Sequence, residues 1–488
     1  MLRTVLSALL VLVTFVPAIA SDKEADSRPL GDDQRVADAI TAWEAWIEYQ
    51  LGISRVPAAS IGVVYDQELL TARGFGLANP DTGAPATPET IYSICSISKL
   101  FTSVAFMQLR DQGKVRLDAP VSDYLDWFTL QDVHPDDEAI TVRRLLSHSS
   151  GLPRESDYPY WSDPDFVFPT HEQIVEKLSE QSTLYPASRY FQYSNLGLTL
   201  VGEIVTEVSG QEFDERIHAE ILDPLGMADT FTDIPEDEWG EGMALGHSYL
   251  QRDGSRRRLP LFQTHGIAPA AGFASTVPDL AKFASWQFRL LGSDTQEILR
   301  SSTLREMQRV QWMDPDWETT RGLGFGTWKS DSHVFVGHGG GCPGYYSQFL
   351  LVPKNKLGVI VLTSAIGSPV GFYAEKAADL IVPAIEAAED SPDDVPDWDP
   401  ELARYVGVYD SAWGQTAILR WEDGLAVLGL GTRNPKESLN ELEKVGEHTF
   451  RRVRKDDESL GEEFFFEVDD NGTVTRFLQH SNWETKVR

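Results

Sequence analysis

The chain has 488 residues, more than a single hydrophobic core usually holds, so at least two domains are expected. Its formal net charge of −33 opposes binding to nucleic acid or to an anionic membrane surface, and neither is an expected partner. None of the ten histidines falls in an H-E-x-x-H or paired Cys/His arrangement, so no metal site and no cofactor are expected.

The first twenty residues read as a secretory signal peptide. Arg3 gives a basic start, Val5 to Val16 form an apolar run, and Pro17-Ala18-Ile19-Ala20 ends in small residues suited to cleavage near Ala20. That run is too short to span a membrane, so an exported protein without stable membrane insertion is expected, periplasmic or secreted. Val36, Ile40, Trp43 and Ile47 recur at helical spacing and predict a helix over 32–50 with an acidic start. Residues 58–65 and 69–77 predict two strands of a hairpin.

After a Pro/Gly/Asp-rich loop comes Tyr92-Ser-Ile-Cys-Ser-Ile-Ser-Lys-Leu-Phe-Thr102, followed by an apolar stretch to Leu109. A helix apolar on nearly all sides is a buried one. If Ser96 opens it, Ser96 and Lys99 share a face one turn apart, where a desolvated lysine can take the serine's proton. Taken alone, S-x-x-K arises about once by chance in a chain this long, and an N-cap serine with a surface lysine explains it equally.

Residues 100–310 are mainly helical, with helices expected at 99–112, 140–147, 171–180, 195–209, 212–222 and 278–290. The loop 154–170 carries Tyr158, Tyr160, Trp161, Phe166 and Phe168, either a self-packed cluster or a wall over a cleft. Tyr193 and Asn195 stand just before an apolar helix, as a packed tyrosine and cap or as site residues. Strands are expected at 323–328, 333–337, 345–352 and 357–364, and a helix at 369–387. Gly337-His-Gly-Gly-Gly-Cys-Pro-Gly344 lies between two of these strands, either a plain hairpin turn or a backbone left open for a ligand. The layout is α+β: an antiparallel sheet flanked by helices, with an all-helical region inserted. Residues 388–400 read as an acidic, proline-rich linker between a domain at 21–387 and one at 401–488. In the latter, Glu422-Asp-Gly424 and Asp470-Asn-Gly472 mark hairpins of a small β-barrel.

In combination these motifs resemble the serine β-lactamase and penicillin-binding DD-peptidase family, in its class C-like branch, which also holds D-aminopeptidases and esterases. Ser96-x-x-Lys99, Tyr193-Ser194-Asn195 and His338-Gly339-Gly340 follow in the family's order. Leu145 to Pro153 and Ala271-Gly-Phe-Ala-Ser275 match two further signatures. The resemblance covers about 30–385. It implies that Ser96 attacks a carbonyl and forms an acyl-enzyme, with Lys99 and Tyr193 moving its proton; which of the two is the base stays open. It implies that Asn195 orients the substrate amide and that the N–H groups of Ser96 and Gly341, beside Gly340, form the oxyanion hole. His148 is expected to pin its loop rather than act as a base. Histidine at 338, where β-lactamases of this branch carry lysine, turns the expectation toward a peptidase or esterase. Its grip on a substrate carboxylate would then depend on protonation.

The chain's two cysteines, Cys95 and Cys342, can pair in an exported protein or remain free thiols. The resemblance favours a disulfide, because some class A carbapenemases carry one at the corresponding positions. The expected activity is therefore an exported serine hydrolase of small peptides, possibly with D-residues, or of esters. A β-lactamase acting on β-lactam substrates is the alternative, and a penicillin-binding sensor or inactive scaffold is the alternative outside enzymes.

Overall fold

A computed structural model describes residues 30–131, 133–134, 138–330, 333–394 and 396–488, so the expected signal peptide lies outside the described residues. The architecture is a helix-flanked antiparallel sheet with an inserted helical region, followed by a closed eight-stranded barrel, as the α+β reading expected.

The sheet has nine strands. From one edge they are Ala84–Pro85, Glu68–Asn79, Ala58–Tyr65, Leu357–Thr363, Tyr345–Val352, His333–Cys342, Gly326–Ser330, Thr320–Arg321 and Trp312–Met313. Ala58–Tyr65 sits inside it and is buried over seven of eight residues, which explains its β-branched and small composition. Ala59, Ile61 and Val63 face one apolar cluster, shared with the helices Gln34–Ile53 and Val370–Asp390. Ala58 and Val64 face the other, with the helices Ser98–Asp111 and Val277–Leu291. The period-2 alternation of the strand thus feeds two cores, one per face.

Asp33 caps the first helix by accepting from the backbone N–H of Arg35 (3.0 Å). The Arg35 guanidinium ties this end to the last helix through the carbonyls of Ala387 (3.1 Å) and Ser391 (3.0 Å). That last helix runs to Asp390, three residues into the expected linker, because Ile385 and Ala388 still bury against the core. The barrel rests on the first helix: Trp46 Nε1 donates to the Thr432 carbonyl (2.9 Å) and Gln50 Nε2 to that of Leu430 (2.8 Å). No helix among the described residues is long and apolar enough to cross a membrane.

The helix Ser98–Asp111 is the element on which the site depends. Twelve of its fourteen residues are buried, and Phe101 stacks on Phe283 (4.3 Å between centroids) and Phe273 (5.2 Å). Each such aromatic or aliphatic side chain contributes about 1.5–3 kcal/mol on burial. A helix so enclosed offers its N-terminus as a rigid platform.

Candidate active site

Ser96 does not open the α-helix itself. A 3₁₀ turn, Cys95–Ile97, precedes it, entered through Cys95 at φ +51°. Two backbone ties fix this turn: Ser98 Oγ donates to the Cys95 carbonyl (2.5 Å) and accepts from the Phe273 N–H (2.9 Å). Phe273 belongs to the segment 271–275, and Tyr92–Ser93 pairs with Ala274–Ser275 as a two-stranded sheet. That segment therefore holds the turn bearing Ser96, which is partly exposed while its neighbours are buried.

Lys99 has no exposed surface. Its Nζ donates to Asn195 Oδ1 (2.8 Å) and to the Ala270 carbonyl (2.7 Å), and lies 3.1 Å from Ser96 Oγ. Burial drives its pKa well below the usual lysine value; the carboxylate of Glu155 opposes this and Arg154 adds to it. Tyr193 lies with its ring 4.9 Å from Lys99 Nζ. Burial pushes its phenol up to about 12, against the pull of a hydrogen bond with Ser96. A neutral phenol and an amine relieved of its proton are the states this environment favours.

The segment 145–153 supports Tyr193 from behind. His148 Nδ1 accepts from the Ser194 N–H (3.1 Å), and the imidazole stacks on the Tyr193 ring (4.4 Å). Ser194 Oγ donates to the Pro153 carbonyl (2.7 Å) and accepts from the Gly197 N–H (2.9 Å), capping the helix Asn195–Ser209. Burial, with the charge of Lys99, lowers the His148 pKa well below its ordinary value, so this ring is a neutral support.

The strand His333–Cys342 runs straight through the glycine segment, five residues past its expected end. Its pairing with Gly326–Ser330 stops at Gly337, while Tyr345–Val352 accompanies it to Cys342. The glycine at 340 is required by space. A Cβ there would stand 2.1 Å from the Ile94 carbonyl oxygen, two residues before Ser96. The strand thus lies against the nucleophile turn, and the Cys95–Cys342 disulfide joins them with 5.8 Å between Cα atoms.

His338 is partly exposed in the cleft, with its ring 6.1 Å from that of Tyr193. Nδ1 donates to the Gly339 carbonyl (2.5 Å), leaving Nε2 as an acceptor. Burial pushes its pKa down to about 3, and Lys99 adds to the lowering whenever it carries its proton. A neutral imidazole is the state this environment favours.

Asn195 is 1% exposed, and its Nδ2 donates to both carboxylate oxygens of Glu155 (2.8 and 3.1 Å) while Oδ1 takes Lys99. These bonds hold Lys99 in place beside Ser96. Glu155 also accepts from Tyr160 Oη, and Gln181 Nε2 donates to its carbonyl (3.0 Å). The aromatic loop is a self-packed cluster. Tyr160, Trp161 and Phe168 pack with centroids 5.0–5.3 Å apart, and that cluster aims Glu155 at the site.

Sequence reasoning missed Glu155, the Ala270 carbonyl, and two cations. Arg154 lies 4.9 Å over Tyr193; Arg321 lies 4.6 Å over Phe191 and its charge acts on Tyr193 and His338. The fixed sequence Arg154-Glu155 beside 145–153 carried the only local signal.

A family model described as Beta-lactamase matches residues 43–382. Among curated proteins, Beta-lactamase-like protein 2 of Dictyostelium discoideum is 26% identical over 398 residues, covering 76% of this chain and 71% of the relative. The solved structure of the octameric penicillin-binding protein homologue from Pyrococcus abyssi aligns with a TM-score of 0.63 at 26% identity, over 92% of this chain and all of that one. A D-stereospecific amidohydrolase from Streptomyces shares the fold, with a TM-score of 0.58 at 21% identity over 70% of this chain and 98% of the other.

Proposed function

The chain belongs to the beta-lactamase family, and from that premise we propose that it is an exported serine hydrolase that cleaves amide or ester bonds through an acyl-enzyme on Ser96. The observation that carries this is the Lys99 environment. Two of its N–H groups point at Asn195 Oδ1 and the Ala270 carbonyl, so as a neutral amine its lone pair faces Ser96 Oγ at 3.1 Å. Ser96 then gives its proton to Nζ as Oγ bonds to the substrate carbonyl carbon, and the carbonyl electron pair moves onto oxygen. The N–H groups of Ser96 and Gly341 receive that oxyanion. A donor of this kind is worth about 3–4 kcal/mol. Collapse of the intermediate expels the leaving group, which takes the proton from Lys99 by way of the Tyr193 hydroxyl. Water, activated by the same pair, releases the acid and restores Ser96.

With Tyr193 held near 12, Lys99 is the base and Tyr193 the relay. A substrate carboxylate is met by Arg321 and Arg154, and neutral His338 offers Nε2 to a substrate N–H or O–H. Disulfide use in mesophiles fits an oxidising compartment, which supports export.

The test compares a D-alanyl anilide and a nitrophenyl ester with a chromogenic cephalosporin. Amide or ester turnover should exceed that of the cephalosporin, and KM for a carboxylate-bearing substrate should stay flat from pH 5 to 8 as far as His338 is concerned, because its imidazole is already neutral throughout. Steady cephalosporin turnover above that of the ester would make the protein a β-lactamase instead. A KM that rises across this range and loses the rise in His338→Gln would restore the protonated-histidine grip.

A further inference from the structure

The C-terminal barrel is closed, from Gly407–Ser411 round to Asn482–Lys486. Its interior is graded along the axis. One end is corked by the short 3₁₀ segment Pro400–Tyr405. The Tyr405 ring sits 4.8 Å from Phe466 and 5.0 Å from Phe450, and Tyr409 Oη donates to the Tyr405 carbonyl (2.7 Å). The middle is aromatic, with Phe477 5.9 Å from Phe466 and 5.4 Å from Phe464. The other end is not corked by apolar residues.

The registers say what lines that end. Arg452 is two residues along the strand from inward-facing Phe450, so it shares its face. Glu484 pairs with Phe477, Asn440 with Val427 and Thr416 with Tyr409, each partner being a residue of the barrel core. Gln479 follows Phe477 by two. Five polar side chains therefore turn inward at one mouth and line a cavity of about 310 Å³ floored by Phe464 and Phe477. Barrels of eight strands are wide enough to hold one small ligand.

Two of the five are charged, and each leaves one buried polar atom without a partner. Arg452 Nε and Glu484 Oε2 are buried and have no hydrogen-bond partner among the described residues. The Arg452 guanidinium lies 5.9 Å from the Phe464 ring centroid, and Glu484 has Thr416 as a hydrogen-bond partner. No ion pair joins Arg452 to Glu484 among the described residues. Buried unpaired charge is costly, and opposite charges held apart in one cavity are complementary to a molecule that carries both signs.

We propose that the open mouth of the C-terminal barrel is a binding site for a small zwitterion, a free α-amino acid or dipeptide, with Arg452 on its carboxylate and Glu484 on its ammonium group. Asn440, whose Nδ2 donates to the Ser438 carbonyl (2.7 Å), and Gln479, whose Nε2 donates to Glu462 (3.2 Å), offer their amide oxygens, and Phe464 and Phe477 receive a small apolar side chain. The site is separate from Ser96 and does not depend on the reaction assigned to it.

The experiment is calorimetric titration of the full chain with D-alanine and L-alanine, with alaninamide and propionate as single-charge controls. Binding of one alanine per chain is expected, weakened at least tenfold for both controls and in both Arg452→Met and Glu484→Gln. Ester hydrolysis and the unfolding midpoint should be unchanged in these variants, which separates a lost site from a lost fold; should Arg452→Met fail to fold, Glu484→Gln carries the comparison. Absence of alanine binding at millimolar concentration, binding indifferent to both substitutions, or propionate binding as well as alanine would overturn the proposal.

Discussion

Lys99→Met should lower kcat/KM by about 10⁴-fold or more, and Ser96→Ala by at least as much, since residues acting as one unit fail together. Lys99→Arg should be no better than Lys99→Met. Arginine keeps the charge, but a guanidinium does not surrender its proton and so offers no lone pair to Ser96 Oγ. An active Lys99→Arg enzyme would mean that the lysine serves as a charge and not as a base. The pH profile carries the same logic. Activity should fall on the acid side as Lys99 gains its proton, and burial has moved that event well below the ordinary lysine range. Glu155 opposes the shift, because a nearby carboxylate favours the ammonium form. Glu155→Gln should therefore move the acid limb to lower pH, and loosen Asn195 enough to lower kcat more than it raises KM. A change in KM alone would indicate that the loop merely walls the cleft.

Removing the disulfide with Cys95→Ser/Cys342→Ser should cost a large share of the stability. The bond spans 247 residues, and loop-closure entropy for a loop of that length is worth up to about 5 kcal/mol. Denaturant unfolding of the double variant against wild type reads this directly as a lower midpoint. Activity should fall with it. Cys95 directly precedes Ser96 and Cys342 directly follows Gly341, so the bond fixes the two proposed oxyanion donors against each other. Misplacement by about 1 Å at such a site costs up to about 10²-fold. A wild-type midpoint and wild-type kcat in the double variant would reduce the bond to a bystander.

The parts of this site that could be read in the sequence are local ones. Ser96 and Lys99 are one turn apart, and Tyr193 and Asn195 flank a capping serine, so each pair carries its own spacing. The strand at 58–65 and the helix at 195–209 were equally legible, because hydrophobic period and cap coincide there. What the sequence hid is of two kinds. The Ala270 carbonyl that accepts a hydrogen bond from Lys99 is backbone, and no side chain announces it. Glu155 is one of 75 acidic residues and meets Lys99 through Asn195, forty positions away, and through its charge, while Arg321 reaches the cleft from a two-residue strand. Tertiary pairing also overrode propensity. Glycines at 337, 339, 340 and 341 argue against a strand, yet the neighbour Tyr345–Val352 holds them in one. The polar helix Ser301–Gln308 was missed because its buried side is largely Ser301, Thr303 and Gln308, with only Leu304 and Met307 to mark an apolar period.

The most direct test of the acyl-enzyme is intact-mass and peptide-mass analysis after exposure to a fluorophosphonate and, separately, to a penicillin. One adduct per chain on the peptide containing Ser96, absent in Ser96→Ala, with the penicilloyl mass disappearing over time as water regenerates the serine, is the predicted result. A penicilloyl adduct that never leaves would make the protein a sensor, and an adduct elsewhere or none at all would contradict the account.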